Sequence, residues 1–131
     1  MMALKVIEIN HIQMTVPSAV EEASKSFYGG VLGLEEIPKP DALKSRGGAW
    51  YRSEQIEFHL SIEDNTSDNR SSRRHVCFIV ADLEEAERTL LQAGVEIIPD
   101  KRPISGWQRF YVRDPGGNRV EIAERVEAKN D

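Results

Sequence analysis

The sequence predicts an α+β fold made of two tandem βαβββ modules. Three observations carry that prediction. Residues 33–38 read GLEEIP and residues 94–99 read GVEIIP, identical at four of six positions. Upstream of each copy is a short alternating stretch that begins with histidine, HIQMTV from His11 and HVCFIV from His75. Downstream of each lie two more alternating stretches joined by turn residues. Period-2 alternation marks strands with one buried face, and self-similarity of this kind marks a duplicated supersecondary unit.

In the first strand Ile12, Met14 and Val16 share one face, and His11, Gln13 and Thr15 the other. A helix is predicted next: Ser18 and Glu21 have capping-box spacing, and Val20, Ala23, Phe27 and Val31 mark an apolar stripe. Gly29 and Gly30 are read as its stop. After GLEEIP come a loop and the strand pair GAWYRS and QIEFHLSI, turning near Ser53 and Glu54. In QIEFHLSI the residues Ile56, Phe58, Leu60 and Ile62 share a face, leaving Gln55, Glu57, His59 and Ser61 opposite. The polar run over residues 63–73 reads as a linker.

The second module repeats the plan. Val76, Phe78 and Val80 oppose His75, Cys77 and Ile79. Asp82 and Glu85 give the second helix its cap, Leu83, Ala86, Leu90 and Ala93 its stripe, and Gly94 its end. The strand pair WQRFYVRD and NRVEIAE turns through Pro115, Gly116 and Gly117. Module one spans about residues 5–65 and module two about 74–126, within one domain over 1–131; the tail VEAKND is expected to fray.

Composition narrows the function classes. The chain has 131 residues, 40% hydrophobic and 30% charged, with a net charge of −5. That balance gives no reason to expect nucleic acid or an anionic membrane as partner. The cluster Arg70, Arg73 and Arg74 reads as part of a solvated linker. The single cysteine, Cys77, rules out an intrachain disulfide, and no stretch approaches the roughly 18–20 apolar residues of a membrane span. A soluble, cytoplasmic protein is the expectation.

Counting from the repeat locates a site. Pro38 precedes His59 by 21 positions, and Pro99 precedes Glu121 by 22. His59 and Glu121 therefore occupy equivalent places in the last strand of each module, as His11 and His75 do in the first strand. The chain has three histidines, and all of them fall at these repeated positions. Each alone is an ordinary polar-face residue. Together, with helices covering the opposite faces, three imidazoles and one carboxylate make a first shell for a divalent transition metal. Trp107, Arg109, Tyr111 and Arg113 alternate on the same side if Phe110 and Val112 face the helix. Trp50 and Arg52 match them in module one, with Ala49 and Tyr51 competing for that face. An arginine there suits a substrate carboxylate or phosphate; a surface arginine is the plainer reading. Trp50, Arg109, Tyr111 and Arg113 are the substrate-binding candidates. Cys77 reads as a small filler rather than a nucleophile, Arg46-Gly47-Gly48 as a turn, and DPGG as a hairpin connection.

The stretches INHIQMTV, SFYGGVLGLEEI, IEFHLSI, RRHVCFIVADLEEAERTLLQAGV and FYVRDPGGNRVEIAE together resemble the vicinal oxygen chelate superfamily, also called the glyoxalase/bleomycin-resistance/dioxygenase fold. The resemblance covers about residues 5–126. It implies a curved, open sheet around a divalent ion (Zn, Ni, Co, Mn or Fe) held by His11, His59, His75 and Glu121. It also implies a small-molecule substrate chelated through its oxygens, with His59 and Glu121 as the catalytic candidates. Such two-module relatives usually dimerise and combine module one of one chain with module two of the other, so a homodimer with shared sites is expected; a monomer closed on one site is the alternative. Glyoxalase I-like enzymes carry glutamate where His59 stands, and epimerase-like relatives often glutamine. A site with one formal negative ligand leaves a divalent ion at about +1. It lacks the glyoxalase I base, a role His59 itself fills if it leaves the metal. The implied activity is a metal-dependent lyase or isomerase. His11, His75 and Glu121 also form the 2-His-1-carboxylate set of a ring-cleaving dioxygenase. A non-catalytic binding protein of the bleomycin-resistance kind is the third reading.

Overall fold

The structure, a computed structural model, describes residues 2–64 and 69–127. Part of the expected linker, 65–68, and part of the expected frayed tail, 128–131, lie outside the described residues. Two four-stranded mixed sheets form the framework. The first contains β1 (His11–Val16), β2 (Glu35–Ile37), β3 (Ala49–Ser53) and β4 (Ile56–Ile62), in the order β1-β4-β3-β2. The second contains β5 (His75–Ile79), β6 (Ile98–Pro99), β7 (Trp107–Arg113) and β8 (Arg119–Arg125), in the order β5-β8-β7-β6. In each, the first strand runs parallel to the last and the remaining pairs are antiparallel.

The ladders reproduce the repeat position by position. Gln13 and Trp50 flank His59 in the first sheet, as Cys77 and Tyr111 flank Glu121 in the second. His11 stands beside Glu57, as His75 stands beside Arg119. Alternation then divides each sheet into two faces. Val16, Ala49, Tyr51, Phe58 and Leu60 are buried on one face of the first, and Val76, Phe110, Val112, Val120 and Ile122 on the matching face of the second. Each fully buried aliphatic or Phe side chain contributes about 1.5–3 kcal/mol. Ala49 and Tyr51 take the core face of β3, which sends Trp50 to the other.

The helices cover those apolar faces, and here the first departs from its prediction. The segment begins as a 3-10 turn (Ser18–Val20), continues as α1 (Glu21–Lys25) and widens into a π-helical turn (Ser26–Val31). The wider turn shifts the buried stripe: Ser24, Phe27 and Tyr28 are buried, while Ala23 is exposed. Gly29 and Gly30 lie inside this turn rather than ending it. Gly33, at φ 73°, reverses the chain, and Leu34 N–H donates back to the Tyr28 carbonyl. The Ser18–Glu21 capping box does not form: Ser18 donates from N and Oγ to Asp64, and Glu21 accepts from Gly48 N–H at 2.9 Å. The second helix, α2 (Leu83–Gln92), follows its prediction except at Ala93, which is its exposed C-cap rather than part of the buried stripe. Asp82 accepts from Glu85 N–H at 3.1 Å, and Gly94 and Val95 donate back to Leu91 and Leu90.

A polar clasp joins the modules. Asp114, 3% exposed, accepts from Tyr28 Oη at 2.6 Å and from Asn118 backbone and side chain. Asn118 Nδ2 donates in turn to the Thr15 carbonyl at 2.9 Å, and Asn69 Nδ2 to the Gly116 carbonyl at 3.1 Å. Gly116 lies so close to β1 that a Cβ there would sit 2.6 Å from Val16 Cγ1. The DPGGN run is thus both a hairpin turn and the joint between halves. Among the described residues no helix is long and apolar enough to cross a membrane.

Candidate metal centre

The residues expected to converge fall into two pairs, one per module, on the faces opposite the core. In module one His59 is 4% exposed and its ring lies in a stack. Trp50 is 3.6 Å away on one side, at 7° between planes, and His11 is 4.2 Å away on the other, at 15°. β3 delivers Trp50 directly across from His59, and β1 delivers His11 two residues before the ladder partner of His59. His59 Nε2 meets Glu57 Oε1 at 2.9 Å, and His11 Nδ1 meets Asn10 Oδ1 at 2.8 Å.

In module two His75 Nε2 lies 3.0 Å from Glu121 Oε1, and His75 Nδ1 lies 2.9 Å from the Arg73 carbonyl. A carbonyl only accepts, so Nδ1 carries the proton. In the neutral ring Nε2 then presents a lone pair toward a carboxylate. Two acceptors converging on one point require a cation between them, a proton or a metal ion. Orientation of one imidazole nitrogen by a backbone carbonyl is also how ligating histidines are fixed. The chemistry of this pair therefore fits a divalent ion. Among the described residues, however, no three His, Cys, Asp or Glu side chains come together in a group that could hold one.

The surrounding charges are ordered around Glu121. Arg109 Nε donates to Asp100 Oδ2 at 2.9 Å, and Arg109 Nη1 reaches Glu121 Oε2 at 3.5 Å. The Arg109 hydrogen bonds hold the Asp100 carboxyl below its usual range, and Asp100 raises Arg109 in return. Tyr111 is buried, edge-on to His75 with ring centres 5.8 Å apart. Arg113 turns away to the joint, donating to the Asn69 and Gly117 carbonyls. Cys77 is exposed as a residue, and its thiol lies beside the Glu121 carboxylate. Burial of the thiol, with that carboxylate beside it, pushes it up to about 11, so at neutral pH it is not a thiolate.

Two residues absent from the sequence-based set stand at the site. Glu57 holds His59, and the Arg119 guanidinium lies over the Tyr111 ring at 3.9 Å from its centre. Both were accessible to the repeat: each is two residues before the ligand candidate of its last strand, hence on the same face.

Comparison with known proteins bears on the family and the fold. The profile of the Glyoxalase/Bleomycin resistance protein/Dioxygenase superfamily matches residues 8–122. The chain belongs to that superfamily. Similar members include a glyoxalase family protein from Bacillus anthracis whose crystal structure is 40% identical, covers 95% of this chain and 100% of its own, and has a TM-score of 0.83. Glyoxylase I 4 of Arabidopsis thaliana is 27% identical over 128 residues, 91% of this chain and 71% of that protein. The fosfomycin resistance protein FosX of Listeria monocytogenes shares the superfamily's fold, with a TM-score of 0.72 over 96% of this chain and 97% of its own, at 15% identity.

Proposed function

We propose that this protein is a divalent-metal-dependent lyase or isomerase of the glyoxalase type, acting on a small oxygenated molecule, with His11, His59, His75 and Glu121 as metal ligands. The observation that supports it most is the facing of His75 Nε2 and Glu121 Oε1 at 3.0 Å while Nδ1 is committed to a carbonyl. The donor set, three imidazoles and one carboxylate, suits zinc, nickel, cobalt, manganese or iron. When bound, such an ion acts as a Lewis acid toward substrate oxygens.

The chain's own residues supply the rest. Trp50 and His11 fix the plane of His59 from both sides. Glu57 Oε1 faces His59 Nε2 and exchanges a proton there; Nε2 is a base or a ligand according to where that proton sits. Arg109, anchored on Asp100, holds Glu121 Oε2 and keeps the carboxylate oriented. Trp50 and Tyr111 offer aromatic walls, and Arg119 offers a guanidinium to an anionic group of the substrate. Since the four ligands fall in two pairs, a complete shell draws one pair from each of two chains, in a homodimer with shared sites.

Elemental analysis of the purified protein tests this reading. The wild type should retain one divalent ion per chain, and His75→Ala and Glu121→Ala should each weaken retention by on the order of 100-fold or more. Full occupancy in both variants would sink the proposed centre.

A further inference from the structure

The segment before β1 stands apart from the rest of the surface. Met2, Leu4, Val6, Ile7 and Ile9 are 96%, 93%, 80%, 84% and 65% exposed. The other exposed large apolar side chains among the described residues are Ile56, Ile79, Leu91 and Ile104, scattered over separate parts of the fold. Single exposed apolar residues need no explanation, but five within eight positions do. The segment has no regular structure of its own, and its end is held where it enters the sheet: Glu57 N–H donates to the Asn10 carbonyl at 3.0 Å. The next residue is His11.

We propose that residues 2–9 are an arm that clasps a second copy of this chain, reciprocally, and sets His11 and His59 against the partner's His75 and the partner's Glu121. The proposal rests on the shared-site reading and adds the element that holds the two chains together. Three features select a second copy as the occupant. The arm runs directly into His11, which belongs to a ligand pair that, among the described residues, no third His, Cys, Asp or Glu joins. Its two charges, Lys5 and Glu8, cancel, so it suits an apolar, self-complementary contact rather than a charged partner. The area is also sufficient. A buried aliphatic side chain hides roughly 60–120 Å², so five on each of two arms hide roughly 600–1,200 Å² before the surfaces beneath them are counted. Stable interfaces bury about 1,200–2,000 Å² in total.

The test uses the full chain carrying Leu4→Glu, Val6→Glu and Ile9→Glu together, with Leu91→Glu as control, followed by sedimentation equilibrium over roughly 1–100 μM. The wild type and the control should be dimers of equal affinity, and the arm variant should dissociate on the order of 100-fold more readily while keeping its β-sheet circular dichroism. Hydrogen exchange on the wild type provides a measurement independent of any variant: amides 4–9 should be protected at high concentration and exposed on dilution. Unchanged dimer affinity in the arm variant overturns the arm while leaving the shared site standing. So does protection that ignores concentration, which would mean that the arm folds back on its own chain. A wild type that is monomeric throughout overturns both. A dimeric wild type whose His75→Ala and Glu121→Ala variants retain metal overturns the site alone.

Discussion

Arg119 is a charge at the candidate site that no carboxylate among the described residues pairs with. Arg109 is committed to Asp100 and Arg113 to two carbonyls, while among the described residues Arg119 has only the face of Tyr111. A guanidinium held over a ring face still has N–H groups to offer a planar oxyanion. Arg119→Gln should therefore weaken oxalate binding to the metal-loaded protein about 10- to 100-fold, the worth of a hydrogen bond to a charged group. Metal content should not change, and calorimetric titration reads both. Equal oxalate affinity in variant and wild type would remove Arg119 from the site. At this scale the sequence was legible where position repeats and less so where partners decide. Spacings of 21 and 22 positions from the two prolines put His59 and Glu121 at the matching places that the ladders give them. That Arg109 would be neutralised by Asp100, nine residues earlier, depends on how the β6–β7 connection folds back, which alternation does not encode.

The same division holds for the elements. Strand faces follow from period-2 patterning, except on β3, where packing seats Ala49 and Tyr51 in the core and the pattern alone leaves them level with Trp50 and Arg52. The first helix does not, because its apolar stripe was read at 3.6 residues per turn while Ser26–Val31 winds as a π turn. Packing of Phe27 and Tyr28 decides that winding, and Gly29 allows it by seating against the Tyr51 ring, where a Cβ would lie 3.2 Å away. The KSRGG loop also carries more than a plain turn. Gly48 has φ 74°, and a Cβ there would lie 2.1 Å from the Leu60 carbonyl oxygen, a backbone atom that cannot step aside. Its N–H also engages Glu21, whose carboxyl that bond holds below its usual range. Gly48→Ala should cost at least about 2 kcal/mol, from the left-handed backbone and the clash together. Urea denaturation measures it, and a midpoint equal to that of the wild type would contradict the close approach.

For the whole molecule, the division of ligands between modules has a direct test. A chain with His11→Ala and His59→Ala keeps only the module-two pair, and one with His75→Ala and Glu121→Ala keeps only the module-one pair. Mixed in equal amounts and allowed to exchange subunits, they should form one intact site in each mixed dimer. Metal binding should then recover to about a quarter of wild type, since half of the dimers are mixed and each has one of two sites. No recovery, with subunit exchange verified, would place the site within one chain. Both modules and their order are legible in the sequence because duplication leaves a visible period. The joint between them is not, because beside the Tyr28–Asp114 bond it is made by Asn118 and Asn69 reaching backbone carbonyls. That choice of acceptor has an evolutionary consequence. Asn118 grips the carbonyl of Thr15, a residue whose side chain belongs to the same face as His11 and Gln13. A grip on main chain is indifferent to what that side chain is. Drift can therefore rewrite the ligand-facing side of β1, and with it substrate preference, without loosening the union of the two halves.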